Sequence, residues 1–320
     1  MSGSGGNGGQ LVGRAVNAVL IPPQAERFAS LTGADVDRLV LNVSGWNKLV
    51  LMDADRVFLF PRAADGVEWF ERELTAYRAL AGAKLNVVPR LLGRWDDRPT
   101  YPFPFAAVTR LPGSVPAAPE ALIEQLGHAI ACWHELDPPT LAGARPPLRL
   151  NGAHHRWLQR ALDPATTASA AAEAASRLGR PDRAAVWAGR LAAAAELTPV
   201  LVHGDLHEDQ LLAADGRLTG VLDWETARVD HPFWDFDFGQ WGIDWWSRCR
   251  PDLSALWARG WRAYARRRGL DSDPRPLETA FRIRHALRLL DGPGGQSDDP
   301  GDQSGDPAVV GTIDEHLAGL

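Results

Sequence analysis

Two short polar segments carry the side chains best suited to chemistry. Residues 202–210 read VHGDLHEDQ and offer Asp205, while residues 222–225 place Asp223 directly after an apolar stretch of β type. A turn at 214–216 lies between the two segments and predicts a short hairpin that brings the carboxylates together. One carboxylate beside a substrate hydroxyl can accept its proton, and the other can bind a divalent cation.

The elements that must position these carboxylates fall into two regions. Residues 24–112 contain short apolar stretches of β type and one helical pattern between Val67 and Tyr77. From there on the apolar spacing is mainly helical. We therefore predict an α+β fold, with a small antiparallel-sheet lobe plus one helix over 24–112 and a larger, mainly helical lobe over 113–290. A flexible tail over 1–23 and an acidic low-complexity tail over 291–320, with room for a short terminal helix, complete the expected organisation.

Composition limits the classes of protein that fit. The chain has 320 residues and a formal net charge of −6, from 34 basic and 40 acidic side chains. This mildly acidic balance argues against a general nucleic-acid binder. No run approaches the roughly 18 apolar residues of a membrane span, and two cysteines are too few for a disulfide framework. We expect a cytoplasmic protein whose partners are small molecules, with neither nucleic acid nor membrane among them.

The polar segments resemble the motifs of a known family. His203-Gly204-Asp205 with Gln210, followed by Asp223, is similar to the catalytic loop and metal motif of the aminoglycoside phosphotransferase family, H-G-D-x-x-x-x-N and then I-D-W or I-D-F. Further stretches resemble the family's third strand, its following helix, the crossover between lobes and its G-D-P-x-x-D stretch: residues 58–62, 70–74, 101–105 with 111–113, and 231–235. The resemblance covers roughly residues 40–290 and implies a bilobal protein-kinase-like fold.

The resemblance also implies site residues and cofactors. Asp205 would accept or orient the proton of the attacking hydroxyl, and Gln210 and Asp223 would hold Mg²⁺ against the phosphates of ATP. His203 and Asp235 would support the catalytic loop. The residues that would contact the nucleotide are Gly45, Lys48, Arg62, Glu73, Val108, Thr109 and Leu111, with the adenine edge at the Thr109 carbonyl and the Leu111 amide.

Three residues depart from the family pattern. Gln210 replaces an asparagine and adds a methylene, and His231 replaces the aspartate of G-D-P. Leu59 occupies the strand position where the family has lysine or arginine, and a leucine cannot neutralise phosphate charge. The nearby cations are Arg62 and Lys48.

Arg62 and Lys48 are therefore the candidates for the missing cation. Arg62 is preferred because its long side chain could reach Glu73 and phosphate. The two-residue period of a strand counts against it, since an offset of three from Leu59 points to the opposite face. Lys48, on the loop expected to cover the phosphates, is the second candidate.

The predicted activity is transfer of the γ-phosphoryl of Mg-ATP to a hydroxyl of a small molecule. An aminoglycoside-like or other basic antibiotic is the leading acceptor, with a role in resistance or self-protection, because Glu208, Glu225 and Asp237 would form an acidic rim. Two alternatives stay open: a catalytically weak, pseudokinase-like protein that binds nucleotide or ligand, for which Leu59 is the argument, and a kinase of a small metabolite such as an amino alcohol.

Overall fold

The structure is a computed structural model that describes residues 19–42, 47–83, 85–136, 153–236 and 252–291, together with 317, 319 and 320. Two predicted site residues, Gly45 and Asp237, lie outside the described residues, as do most of the two predicted tails.

The first lobe is built on a five-stranded antiparallel sheet. Its strands are β1 (Val40–Asn42), β2 (Lys48–Met52), β3 (Arg56–Pro61), β4 (Leu91–Trp95) and β5 (Phe105–Thr109), in the spatial order β1-β2-β3-β5-β4. The β2–β3 hairpin is closed by Asp53, whose side chain accepts hydrogen bonds from the backbone amides of Asp55 and Arg56. This turn fixes the register that pairs Val50 with Leu59.

Each face of the sheet is covered by one helix. On one face α1 (Pro22–Thr32) inserts Phe28 between Phe58 and Phe105, with ring centroids 5.0 and 5.8 Å away. On the other face Leu59 packs in the same core as residues of α2 (Gly66–Leu80). The sequence predicted α2 but not α1, because only two of the eleven residues of α1 are buried and its N-cap residue, Ile21, has no side chain that can accept a hydrogen bond.

The second lobe is mainly helical, as predicted. Its helices are α3 (Ile123–His134), α4 (Ala153–Ala161), α5 (Thr167–Arg177), α6 (Ala184–Ala195), the single turn α7 (Phe233–Phe236), α8 (Asp252–Arg268) and α9 (Arg275–Asp291). Helix α3 packs along α8, α5 packs along α6, and α9 lies against α4 and α6. Within the described residues, no helix is both long and apolar enough to span a bilayer.

Two small antiparallel pairs sit beside these helices and carry the polar segments. Strand β6 (Val200–Val202) pairs with β9 (Arg228–Asp230), and β7 (Leu211–Ala214) forms a hairpin with β8 (Arg217–Val221). Asp205 follows β6, and Asp223 follows β8. The hairpin predicted around residues 214–216 is thus present and delivers both carboxylates to one end of the second lobe.

The two lobes meet around the same segments. The Val221 amide donates to the Val87 carbonyl at 2.7 Å, and Ser114 and Ala213 form a backbone bridge. A 3₁₀ helix, Trp224–Thr226, lies in the second lobe immediately after Asp223 and packs against α2 of the first. These contacts confirm the predicted α+β architecture of two lobes around a polar cleft.

Candidate active site

A loop over residues 203–210 joins β6 to β7 and is braced by His203. The His203 ring donates from Nε2 to the Leu222 carbonyl at 2.8 Å, and its Nδ1 accepts from the Asp205 amide at 3.4 Å. Burial lowers the pKa of His203, which keeps the ring neutral and suited to this donor and acceptor pair. The ring therefore ties the backbone of Asp205 to the strand end that carries Asp223.

A second brace lies beneath the loop, where Asp235 is completely buried. Its Oδ1 accepts from the Gly204 amide at 3.0 Å, and its Oδ2 accepts from Trp133 Nε1 at 2.7 Å and His134 Nε2 at 2.9 Å. Burial alone would raise the pKa of Asp235, but the hydrogen bonds from His134 and from the Gly204 amide hold it below its usual value. The carboxylate stays ionised, and its bond to Gly204 fixes the turn next to Asp205.

Sequence reasoning gave no sign that His134 touches this network. The His134 Nδ1 lies 3.0 Å from the hydroxyl of Tyr264 on α8, and burial lowers the pKa of the ring. A neutral ring with Nε2 protonated can donate to Asp235 and accept from Tyr264. The position of His134 beside Trp133, at the end of an apolar helix, is the sequence feature that could have indicated this role, since both side chains reach Asp235.

Asp205 is half-buried and has an unusual proton affinity for an aspartate. Burial raises the pKa of Asp205 to about 6; the neighbouring charge of His207 opposes the shift, and that of Asp223 adds to it. The Gln210 side chain donates a hydrogen bond to Asp205. The other end of that amide, Gln210 Oε1, is buried and accepts no hydrogen bond from any residue that the structure describes.

The cation beside Glu73 is Lys48. Lys48 Nζ donates to Glu73 Oε2 at 2.6 Å and to Asp223 Oδ1 at 2.7 Å, and it lies 3.0 Å from Glu225 Oε2. Burial alone would lower the pKa of Lys48, but the three carboxylates hold it above its usual value. Burial raises the pKa of Glu73 against the opposing charge of Lys48, and the Tyr77 hydroxyl donates to Glu73 at 2.7 Å. One ammonium group therefore joins both lobes across the cleft.

The strand register explains how Lys48 reaches this position. Lys48 lies opposite Pro61, and Val50 lies opposite Leu59, so Lys48 and Leu59 point from the same face of the sheet. Arg62 follows the end of β3 and is exposed, and its charge acts on Tyr101, which packs on the face covered by α1. The preference for Arg62 over Lys48 is therefore corrected: the structure gives Glu73 the second candidate as its partner.

The segment expected at the adenine edge lies where β5 leaves the sheet. Val108 is buried, and Thr109 and Leu111 are half-exposed. Between them the Arg110 amide donates to the Asp55 carbonyl at 2.8 Å, whereas the Leu111 amide makes no hydrogen bond within the described part of the chain. The Leu111 amide is thus a donor that has no partner among the described residues at the crossover between the lobes.

Three acidic residues were predicted to line the acceptor, and the structure describes two of them, Glu208 and Glu225. Glu208 is half-buried in the 3₁₀ helix Glu208–Gln210 of the loop. Glu225 lies in the cleft instead: its Oε1 accepts from Asn47 Nδ2 at 2.7 Å, and its Oε2 faces Lys48. Asn47, which sequence reasoning did not single out, is a turn residue whose contact spans the two lobes.

Comparison with known proteins adds the family. A family model described as the phosphotransferase enzyme family, APH, matches residues 31–270, which are 240 of the 320 residues. The chain belongs to this family. Membership makes the protein a small-molecule phosphotransferase, and the resemblance noted in its motifs is confirmed.

Solved structures share the fold of this phosphotransferase. The apoenzyme of macrolide 2′-phosphotransferase MphH from Brachybacterium faecium superposes with a TM-score of 0.55 at 23% identity, over 93% of this chain and 99% of that one. The GDP complex of aminoglycoside 2′-phosphotransferase-IIIa gives 0.55 at 18%, over 90% and 95%. ADP-bound APH(2″)-Ib gives 0.52 at 15%, over 93% and 97%. A search of curated sequences found no match.

The site fits the divalent cation that phosphotransferases of this kind use with their nucleotide. Mg²⁺ prefers carboxylate and carbonyl oxygens, and the unpartnered Gln210 Oε1 is such an oxygen in the loop before Asp223. Asp223 itself has φ 65° and ψ 60°, a left-handed conformation that is uncommon for a residue other than glycine. Such backbone strain is found mainly at functional sites, where surrounding contacts hold it.

Proposed function

We propose that this phosphotransferase moves the γ-phosphoryl group of Mg-ATP to a hydroxyl of a small basic molecule. The observation that carries the proposal is the convergence of Asp205, Gln210, Asp223 and Lys48 on one cleft between the lobes. Together these residues offer a proton acceptor, two oxygen ligands for a divalent cation and one ammonium group for phosphate oxygens. Phosphoryl transfer needs little else from a protein, because its catalysis consists mainly of positioning and charge neutralisation.

The proposed mechanism assigns one task to each residue. Asp205 accepts the proton of the acceptor hydroxyl, and with a pKa of about 6 it is ionised at neutral pH and still basic enough to do so. Asp223 and Gln210 would hold Mg²⁺, and the ion would supply neutralisation of the phosphate charge. Lys48 exchanges its bond to Asp223 for phosphate oxygens and keeps its bond to Glu73. His203 and Asp235 hold the loop so that Asp205 faces the transferred group in line.

The nucleotide base would bind at the crossover between the lobes. The Leu111 amide and the Thr109 carbonyl would offer a donor and an acceptor two residues apart, and the buried Val108 would supply an apolar surface beside them. A purine edge presents the complementary pair. We assign ATP as the donor, and competition by GTP in the assay below is the check on that choice.

The acceptor is proposed to be cationic. Support comes from the net charge of −6 and from Glu208 beside Asp205 in the loop. Basic antibiotics and amino alcohols both meet this requirement. The pseudokinase alternative rested on Leu59, and it loses that support because Lys48 stands beside Glu73 in its place.

The decisive experiment measures transfer of radiolabelled γ-phosphate to a panel of aminoglycosides, macrolides, basic peptide antibiotics and amino alcohols. We expect transfer to at least one cationic acceptor. Asp205→Asn should lower kcat by about 10²–10⁴-fold, the usual contribution of a general base, and leave the affinity for Mg-ATP unchanged. Turnover of Asp205→Asn at the wild-type rate would remove Asp205 from the mechanism.

A further inference from the structure

We propose that Glu225 is a positioning residue that holds Lys48 toward the nucleotide through its contacts with Asn47 and Lys48, and is not part of the acceptor site. The proposal rests on the proposed function in one respect, the role of Lys48 toward phosphate. It starts from the two oxygens of Glu225, which are engaged by two consecutive residues of the other lobe: Asn47 Nδ2 at 2.7 Å and Lys48 Nζ at 3.0 Å.

A lysine at position 48 needs such support more than a lysine at position 59 would. Leu59 is paired on both sides, with Val50 of β2 and Ala106 of β5. Lys48 is the first residue of β2 and lies opposite Pro61, the last residue of β3, whereas Leu59 lies inside β3. The end of a strand is held by fewer hydrogen bonds than its middle and opens more easily.

Glu225 can supply this support because its own position is fixed. It belongs to the 3₁₀ helix that follows Asp223, where it is preceded by Trp224, which is fully buried, and followed by Thr226. The Thr226 hydroxyl donates to the His203 carbonyl at 2.6 Å, and the Trp224 indole donates to the Val221 carbonyl at 3.0 Å. The side chain of Glu225 is only 14% exposed, so its carboxylate is directed into the cleft.

The charges around Lys48 indicate at which stage its contact with Glu225 would be needed. Lys48 forms hydrogen bonds to Glu73 and Asp223 and an ion pair with Glu225. If Asp223 served as a ligand of Mg²⁺, as the proposed function would require, Lys48 would have to give up that partner. Glu73 and Glu225 then remain on either side of the ammonium group and keep it aimed at the phosphates. Glu225 is thus the partner from the second lobe that Lys48 keeps during catalysis.

The test is a double-mutant cycle between positions 48 and 225, read by calorimetric affinity for Mg-ATP. Glu225→Gln should weaken binding about tenfold in the wild-type background and less than twofold in Lys48→Met, since the effect acts through Lys48. Asn47→Ala provides a second cycle that keeps the lysine, and it should also be non-additive with Glu225→Gln. Glu196→Gln, an exposed carboxylate at the end of α6, is the matched charge control.

Each other outcome overturns the proposal. Equal losses in both lysine backgrounds, confined to metal-dependent affinity, would make Glu225 a metal ligand. Unchanged nucleotide affinity with a raised KM for the acceptor would restore it to the acceptor site, and a loss of stability alone would make it structural. If the wild-type protein binds no Mg-ATP, the proposed function fails separately. The cycle then remains measurable as coupling in the free energy of unfolding by urea, where additivity of positions 48 and 225 contradicts the inference.

Discussion

Moving the lysine back to its usual strand is the sharpest test of the cleft. Lys48→Met leaves Glu73 and Asp223 without their counter-charge, and removing one partner of a buried ion pair typically costs about 3–5 kcal/mol of unfolding free energy. A charge-assisted contact to phosphate contributes about 1.5–3 kcal/mol, so affinity for Mg-ATP should also fall roughly ten- to hundredfold. The double variant Lys48→Met/Leu59→Lys should recover part of both losses, because position 59 faces Glu73 from the same side of the sheet.

The single variant Leu59→Lys should not improve on the wild-type protein. It places a second ammonium group on a surface that is 6% exposed and two residues along the strand from the position opposite Lys48, so we expect lower stability and no gain in nucleotide affinity. Unfolding by urea and calorimetry of Mg-ATP measure both quantities, with Lys84→Met, which removes the chain's other lysine, as the control. The reasoning is refuted if Lys48→Met binds Mg-ATP normally, or if the double variant is no better than Lys48→Met.

Three further predictions concern the metal, the loop and acid stability. Asp223→Ala should abolish the Mg²⁺-dependent part of ATP affinity in calorimetry; equal affinity with and without Mg²⁺ in both proteins would contradict the ligand assignment. Gly204→Ala should lose most activity and some stability, measured as kcat and urea unfolding, because Gly204 has φ +83° and a Cβ there would lie 2.2 Å from Arg228 Nη1. His231 accepts the Phe233 amide at Nδ1, and burial lowers the pKa of its ring to about 4 from 6.5. The contribution of the neutral His231 ring to the free energy of unfolding is therefore complete above pH 6.5 and is lost, by about 3 kcal/mol, as the pH falls toward 4. Urea titrations at several pH values should show a smaller loss of stability for His231→Asn than for the wild-type protein.

The segments that carry Asp205 and Asp223 could be predicted because the residues that determine their structure lie close together in the sequence. Apolar stretches end immediately before His203 and before Asp223, and the intervening turn around residues 214–216 is short. Short hairpins leave few alternatives for where their ends meet. The same locality made α2 visible, since its buried positions recur along one face.

The cation and the role of Glu225 could not be predicted because they depend on long-range geometry. Lys48 meets Asp223 across 175 positions of sequence, and nothing near either residue indicates the other. The register between β2 and β3, which places Lys48 on the same face as Leu59, is fixed by the turn at Asp53 and by packing on α2. Glu225 was expected in an acidic rim at the acceptor site, and the structure instead pairs it with Asn47 and Lys48 of the first lobe.

The three carboxylates of the cleft determine from which face of the sheet their cation must come. Three carboxylates, those of Glu73, Asp223 and Glu225, have oxygens within 4.8 Å of one another, and such a group needs a cation at its centre whether or not nucleotide is bound. The ammonium must come from the face of the sheet that meets α2, which requires a strand position in phase with Leu59. Lys48 meets that condition from the neighbouring strand. In this chain the requirement is therefore for a side chain on that face with enough reach, and Glu225 lies beside the lysine that meets it.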